Sequence, residues 1–401
     1  MKILLSLLLL GSVLFAKNAP LIMKHADSLS VTKRTGILLL KGRVHFVHDS
    51  VVFKTSKATW NRNSDIVQCN ENFLFTHPSG FIKANTGVYQ KRIDFASATG
   101  KVIAKDSANS YALFGERLEY DRKLEILTIP VKPLLEGYSK NKDNSVDTVS
   151  VRAKKIVYDK KKEFAKAYQD VVVSQKEMTV VCDTGYFDKK NNWLALKGNP
   201  KCILENHELS GDSIFLKLTP DGKSLEYAYV IRNAHGIQIE KPKGKAIGTH
   251  TEAFGDTLYA EFDGKKLKRL YVNLNAHGFF FEEDLKDYKN LMSGNRLDLD
   301  FAEGKISKAI ITGNAESTYF YVKQNRSVAG KNLAAGDSIH IEFNPKKNQV
   351  KTLKVRGSAS PSSGRYIDLE GIAKRNKKDT SKDSLIPFTK EKLLTQGLSH
   401  E

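Results

Sequence analysis

Gly211-Asp212-Ser213-Ile214-Phe215-Leu216 is a six-residue stretch whose pattern returns along most of the chain. Three later stretches match it closely: Gly255–Ala260, Gly294–Leu299 and Gly336–Ile341. Looser versions run back toward the N-terminus, and the polar residues that head the ten units stand at 27, 56, 85, 116, 154, 183, 212, 256, 295 and 337. The heads lie 29 to 44 residues apart. A recurrence of this kind predicts a stacked repeat architecture.

Apolar and polar residues alternate after each head. The second and fourth residues after the head are apolar in most copies, and the residue between them is often polar. Leu297 and Leu299, for example, flank Asp298. A period of two predicts a β-strand with one buried face.

A second marker follows most heads, by about fifteen residues in the first half of the chain and by eighteen to twenty-one in the second. Typical copies are Gly100-Lys101-Val102 and Gly313-Asn314-Ala315. Because Gly and Asn accept a positive φ or a bulge, we expect each strand to turn a corner there. Turn sequences such as Pro220-Asp221-Gly222 and Asp263-Gly264 then predict three or four short antiparallel strands per repeat.

The N-terminus differs from the repeats. In residues 1–16, Lys2 precedes an apolar run that ends at Ala16, which is the layout of a secretory signal peptide cleaved after Ala16. The alternative is an uncleaved inner-membrane anchor, although the run is short for a membrane span.

The rest of the chain is predicted to hold one elongated repeat unit and a tail. Residues 17–372 carry the repeats, and a polar insertion near 137–147 is either a joint or an ordinary surface loop. Residues 373–401 form a basic, polar C-terminal tail, for which we expect disorder with a short helix over Leu385–Leu398 as an option.

The formal net charge of +19 favours an anionic partner. An exported protein meets phosphorylated lipid or acidic polysaccharide rather than nucleic acid. The alternative is that the scattered lysines serve solubility and protect the edge strands.

Three cysteines do not make a disulfide framework. Cys182 and Cys202 stand in consecutive repeats and can either pair or remain buried free thiols, as can Cys69.

No recurring set of residues predicts catalysis, a metal site or a cofactor. Two identical Asn-Ala-His-Gly segments place His235 and His277 in consecutive repeats, but no carboxylate or cysteine recurs with them at ligand spacing, so they are interpreted as turn residues. The Asp residues that head the repeats suggest a glycosidase pair, yet they recur once per strand start, where Asp accepts hydrogen bonds from turn groups. We therefore expect a protein that is not an enzyme.

The repeats as a set resemble the OstA-like (LptA-type) family of lipopolysaccharide transport proteins, which includes a periplasmic bridge, its inner-membrane partner and the N-terminal domain of an outer-membrane translocon. The likeness rests on recurrence over nearly the whole mature chain. The matching pieces are Gly211–Leu216, Gly255–Ala260, Gly336–Ile341, Lys41–Val44, Thr99–Val102 and Thr312–Ala315.

The resemblance implies an all-β fold, an elongated antiparallel β-jellyroll of about ten stacked repeats whose two sheets form an open trough. It implies a periplasmic carrier that binds the acyl chains of lipopolysaccharide in this slot and bridges toward the outer membrane. The protein either works alone or docks to other lipopolysaccharide transport proteins by end-to-end β-strand addition at the open edges of its first and last repeats. Small residues at Ala58, Gly87 and Gly185 are expected to widen the slot. The candidate lipid-lining residues are Leu29, Val31, Leu118, Tyr120, Ile156, Tyr158, Ile214, Leu216, Leu258, Leu297, Leu299, Ile339 and Ile341.

A different class of protein fits the same sequence. An exported structural or polysaccharide-binding β-repeat protein would use its lysines and aromatic residues on the outer surface. The interior distinguishes the two, because a carrier needs an accessible apolar slot and a purely structural repeat protein is packed without voids.

Overall fold

The structure is a computed structural model. Along most of its strands, buried residues alternate with more exposed ones, which shows which face of each strand points into the interior. The structure describes residues 19–32, 34–78, 80–108, 110–140, 145–159, 161–175, 178–220, 224–240, 248–264, 266–344, 349–357 and 362–379. The predicted signal peptide at 1–16 and the optional helix at 385–398 lie outside these residues.

Within the described residues, 28 strands pair antiparallel in one continuous hydrogen-bonded sheet, accompanied by two short 3-10 helices, Lys91–Ile93 and Glu283–Leu285. The strands are β1 Ile22–His25, β2 Ser28–Thr32, β3 Ile37–His48, β4 Val51–Asn61, β5 Ile66–Glu71, β6 Phe73–His77, β7 Gly80–Ala84, β8 Thr86–Gln90, β9 Phe95–Asp106, β10 Tyr111–Asp121, β11 Ile126–Val131, β12 Leu134–Lys140, β13 Val146–Arg152, β14 Lys155–Asp159, β15 Phe164–Gln175, β16 Met178–Asp188, β17 Trp193–Lys197, β18 Lys201–Leu204, β19 His207–Ser210, β20 Ser213–Leu218, β21 Leu225–Glu240, β22 Thr249–Asp263, β23 Lys266–Glu282, β24 Asn290–Ala302, β25 Lys305–Val322, β26 Val328–Asn344, β27 Gln349–Arg356 and β28 Ser363–Asp368.

The long strands bend in the middle, so that the sheet folds over into two layers. In β10, Tyr111–Phe114 pair with β12, whereas Arg117–Asp121 pair with β11. We call layer 1 the layer that contains β2, β5, β8, β11, β14, β17, β20 and β27, and layer 2 the layer that contains β1, β6, β7, β12, β13, β18, β19 and β28; each long strand contributes one half to each. This confirms the predicted all-β, elongated jellyroll-type fold.

The bends occur where the second sequence marker predicted them. Gly42 and Arg43 have φ values of 70° and 40°, and the ladder between β3 and β4 shifts there. The head residue Asp27 lies against this corner: its backbone N–H donates to the Gly42 carbonyl at 3.0 Å, and a Cβ built on Gly42 would lie 2.2 Å from its carboxylate. The corner therefore requires glycine both for its φ and for space, and Asp27 accepts hydrogen bonds from the Arg43 side chain.

The hydrophobic core lies between the two layers. Leu297 and Leu299 are fully buried, and ring contacts such as that between Phe280 of layer 2 and Phe343 of layer 1, at 5.4 Å, join the inner faces. The core falls into two clusters, one running from Leu21 to Ile156 and the other from Tyr111 to Phe343. They meet among β10 to β15.

A helix, α1, spans Leu369–Asp379 directly after β28, and sequence analysis did not predict it. It includes the first residues of the predicted tail, and Lys323 donates to Glu370 at 2.6 Å near its start. At the predicted joint, β12 and β13 form a regular hairpin, while residues 141–144 lie outside the described ranges.

Candidate functional site

A cavity of about 90 Å³, partly open to solvent, separates the two layers near the middle of the chain. It lies where the two core clusters meet, since its walls include Leu135 and Ile156 of one cluster and Phe187 and Leu196 of the other. Its lining residues are Leu135, Gly137, Val149, Val151, Ile156, Ala165, Lys166, Ala167, Val171, Val173, Gly185, Tyr186, Phe187, Leu194 and Leu196.

The cavity exists because small residues follow one another on the inner face of layer 1. Ala165 and Ala167 of β15 face Phe187 and Gly185 of β16 in the ladder. A Cβ built on Gly185 would meet nothing closer than Val171, at 3.6 Å, so this position is open. Sequence analysis expected Gly185 to widen the interior, and the structure agrees.

The same expectation was wrong for Gly87. A Cβ built there would lie 2.6 Å from the ring of Phe73, which fills the space that the glycine leaves. Ala58, the third small residue, is buried in the core. A small residue therefore opens the interior only where no large side chain of the facing layer occupies the gap.

The cavity presents an apolar surface throughout. The two polar residues in its wall, Lys166 and Tyr186, alternate with inward-facing neighbours, and the ammonium of Lys166 lies 4.8 Å from the Tyr186 ring in a cation–π contact. The cavity therefore meets their backbone while their side chains lie on the outside of layer 1. Apolar walls of this kind suit hydrocarbon groups, as in an enclosed apolar cavity of about 150 Å³ that binds benzene.

Polar contacts link the two layers on the N-terminal side of the cavity. His48, at the end of the layer 2 half of β3, contacts the Tyr89 hydroxyl in layer 1 at 2.8 Å. Tyr89 donates to Asp94 at 3.2 Å, and the buried Arg122 pairs with Asp94 at 2.9 Å. Burial and the nearby Arg122 charge lower the pKa of His48, which favours the neutral ring in this network.

A second set of contacts links the layers on the C-terminal side. Gln238 of layer 2 donates to the Gly304 carbonyl of layer 1 at 3.2 Å. Further on, the Val350 backbone N–H of layer 1 donates to the Tyr319 hydroxyl of layer 2 at 3.1 Å. The cavity thus lies in the stretch between these two linked regions.

The structure places most predicted lining residues inside the sandwich, but only one of them in the wall of the cavity. That residue is Ile156. Tyr120 is partly buried. The others in the core are Leu118, Tyr158, Ile214, Leu216, Leu258, Leu297, Leu299, Ile339 and Ile341.

Leu29 and Val31 differ from the other predicted lining residues, because they are 46% and 54% exposed. The register puts them opposite the buried Leu40 and Leu38, hence on the inner face. They are exposed because β2 pairs only with β3 and ends its layer. The first rung therefore shows an uncovered part of the apolar interior.

Sequence reasoning missed the cavity walls that layer 2 contributes. The prediction followed only the strand after each head, whereas Val149 and Val151, or Val171 and Val173, belong to strands on the other side of the corner. Their own alternation of apolar residues was the signal that could have found them.

The remaining sequence candidates have ordinary surroundings. His235 stacks on Phe254 at 4.1 Å, and the register places Phe254 between His235 and His277. Among the described residues, no group of three or more His, Cys, Asp and Glu side chains is arranged to hold a metal ion.

The three cysteines are free and buried, and burial raises the pKa of Cys69 and Cys202 to about 12 and of Cys182 to about 11. Thiols with such pKa values are poor nucleophiles.

No protein-family model matches the chain, and no curated protein does. A solved structure, that of LptH, the LptA-homologous periplasmic component of the conserved lipopolysaccharide transport device from Pseudomonas aeruginosa, is similar to part of it. The two are 18% identical, the likeness covers 34% of this chain and 82% of LptH, and the TM-score is 0.26. A likeness of this size does not identify a function. Among the described residues, no helix is both long and apolar enough to cross a membrane.

Proposed function

We propose that this protein is a periplasmic carrier, without catalytic activity, that binds the acyl chains of lipopolysaccharide between its two layers and passes the lipid toward the outer membrane. The observation that carries the proposal is the apolar cavity of about 90 Å³ above Gly185, Ala165 and Ala167. The apolar walls suit hydrocarbon and offer nothing to a polar ligand. The signal peptide predicted at residues 1–16 supports a periplasmic location.

Burial of hydrocarbon supplies the affinity. Each methylene that leaves water for an apolar site gains about 0.8 kcal/mol, so a segment of four methylenes gains roughly 3 kcal/mol. The cavity holds a short segment of an acyl chain, and longer chains require the neighbouring inner faces to separate. Those faces are held by dispersion contacts, which acyl chains replace with contacts of the same kind.

The acyl chain enters between the layers along the edge that lies opposite the corners. At the corners, the backbone of each long strand runs from one layer into the other. At the opposite edge, each layer ends in hairpin turns, and only side-chain contacts connect the two layers. The links around Arg122 on one side and at Gln238 and Gly304 on the other hold this edge together. Between them lies the cavity, and this is the proposed entrance.

The exposed inner row of the first rung is the proposed point of transfer. Leu29 and Val31 continue the apolar interior to the end of the molecule, and β1 and β2 each pair with β3 alone. Another transport protein that adds strands to these edges would extend the interior across the junction.

Photocrosslinking in cells tests the proposal. In the test variants, a benzoylphenylalanine replaces Phe187 or Tyr158, whose side chains lie inside the sandwich. In the control variants, it replaces Tyr186, on the same strand as Phe187, or Tyr168, on the neighbouring strand, whose side chains lie outside. We expect adducts with lipopolysaccharide at Phe187 and Tyr158 alone, detected by immunoblotting. The proposal is wrong if folded, exported protein gives no adduct at the inner positions or equal adducts at the outer ones.

A further inference from the structure

The outer surface of layer 1 carries a concentration of aromatic side chains between β15 and β23. All alternate with inward-facing residues, so they lie outside the core, and all are partly exposed. We call this surface the aromatic face; its members are Phe164, Tyr168, Tyr186, Trp193, Phe215, Tyr227, Tyr229, Tyr259 and Tyr271.

The aromatic face is built as cross-strand rows. Phe215, Tyr229, Tyr259 and Tyr271 stand directly opposite one another on four successive strands. The Tyr227 ring lies 5.4 Å from Tyr259, and Tyr259 lies 5.9 Å from Tyr271. Such pairs stabilise a sheet, but stability alone does not account for a row confined to one region.

The same row in the first repeats contains no aromatic residue. Continued toward the N-terminus through the ladder, it holds Thr128, Glu119, Ser97, Val88 and Gln68. The repeats have the same fold there, so the fold does not require aromatic side chains at these positions. The aromatic face is therefore a local feature that needs its own explanation.

Lysines border the rings at the β14 to β20 end. Lys166 lies 4.3 Å from the Tyr168 ring and 4.8 Å from the Tyr186 ring, and Lys155 and Lys197 lie within 5.8 Å of the same two rings. Within the described residues, these three lysines have no carboxylate at ion-pair distance. Among the described residues, their positive charge is not taken up by an ion pair.

Acidic residues stand at the other end and between the rows. Arg269 pairs with Asp300 at 2.9 Å, and Arg296 pairs with Asp298 at 2.6 Å. Asp188 lies on the same outer surface near the lysines. A nucleic acid carries a phosphate at every nucleotide and favours an uninterrupted cationic track, so this mixed surface fits a polymer with fewer charges.

We propose that the aromatic face binds an anionic polysaccharide. The Tyr and Trp rings offer flat apolar surfaces with polar tips, which match the apolar faces and hydroxyl edges of sugar rings. Lys155, Lys166 and Lys197 pair with the carboxylate or phosphate groups of the polymer. This site lies outside the sandwich, so it does not depend on lipid binding in the cavity.

Isothermal titration calorimetry of the mature protein tests this proposal, with hyaluronan, which carries a carboxylate on every second sugar, as an anionic glycan, dextran as a neutral one and oligo-dT as a dense polyanion. The ring variant is Tyr186→Thr with Tyr229→Thr, because threonine keeps the β-strand preference. The charge variant is Lys166→Gln with Lys197→Gln. A matched control, Gln68→Thr, changes the same row in the first repeats.

We expect hyaluronan to bind more tightly than dextran or oligo-dT. The ring variant weakens hyaluronan binding by about tenfold, the charge variant removes the preference over dextran, and the control binds as the native protein does. No hyaluronan binding by the native protein, or equal loss in the control, overturns the proposal. Tighter binding of oligo-dT, lost in the ring variant, assigns the face to nucleic acid instead and also overturns it.

Discussion

Replacing Gly185 by valine tests the cavity directly, because the new side chain occupies the open space above layer 1. The nearest atoms to the added Cβ are ordinary contacts, at 3.6 Å to Val171 and 3.9 Å to Cys182 and Leu196. A cavity of about 90 Å³ costs roughly 2 kcal/mol at 24 cal/mol per Å³, and valine suits a strand better than glycine. We therefore expect Gly185→Val to stabilise the protein by about 1–2 kcal/mol.

Native-state hydrogen exchange of the amides in β16 and β17 measures this effect, since repeat proteins open locally and a single unfolding midpoint averages over the rungs. Gly87→Val is the matched control: its Cβ would lie 2.6 Å from the Phe73 ring, so overpacking destabilises that rung by about 1–3 kcal/mol. If both variants lose protection alike, the space above Gly185 is not a cavity that a side chain can fill.

The same variant separates stability from function. A valine at 185 competes with the acyl chain for the cavity, so the more stable protein is expected to give fewer lipopolysaccharide adducts from a photoreactive residue at 187. If Gly185→Val is more stable than the native protein but gives as many lipopolysaccharide adducts, the lipid binds elsewhere and the assignment of the cavity is wrong.

Three further changes test the corners, the polar links and one partly buried histidine. Gly198 has a φ of 79°, and a Cβ built on it would lie 2.3 Å from the Asp183 carboxylate, so Gly198→Ala should lower the free energy of unfolding by about 3 kcal/mol. Gly264 has a φ of 62° but open space around it, so Gly264→Ala should lower it by about 1 kcal/mol. Asp94→Asn removes the carboxylate that pairs with the buried Arg122 at 2.9 Å and should lower the free energy of unfolding by about 1–2 kcal/mol, measured by thermal denaturation. Burial lowers the pKa of His207 below its unfolded value of about 6.5, so His207→Phe should reduce the loss of stability below that pH, by up to about 1.4 kcal/mol per pH unit.

Each of these tests has a clear contrary outcome. Equal losses at Gly198 and Gly264 would show that backbone conformation alone, and not the packed head residue, demands glycine at the corner. An unchanged melting temperature for Asp94→Asn would mean that Arg122 finds sufficient charge compensation elsewhere. The contribution of His207 to stability is complete above about pH 6.5 and falls below it, because the unfolded chain binds a proton there that the neutral ring of the folded protein does not. An unchanged slope in the variant would exclude that histidine as a cause.

Much of the fold was predictable because its signals are local. A strand with one buried face shows its period of two in the sequence, as around Leu297 and Leu299, and a bend shows its glycine, as at Gly42. The helix at Leu369–Asp379 was missed because its sequence is polar and lysine-rich, with little apolar periodicity to predict it.

The site was less predictable than the fold. Recurrence led sequence reasoning to treat every repeat as lining one uniform slot. In the structure, the later repeats bury residues such as Ile339 completely, and the cavity of about 90 Å³ lies near Gly185. The sequence of the layer 1 strands does not show which side chain of layer 2 faces each glycine, so it could not predict where a glycine leaves a cavity.

The amino-acid sequence by itself determined the repeat number, the strand alternation and the corners, because each depends on residues that are neighbours along the chain. Only the tertiary structure decided where the interior is open. Gly87 and Gly185 are the same residue at the same place in their repeats, yet Phe73 fills the space beside Gly87, whereas a Cβ on Gly185 would meet its neighbours only at ordinary contact distances of 3.6 Å and more. A void depends on both layers at once, and the residues of the facing layer reach it only when the sheet has folded over.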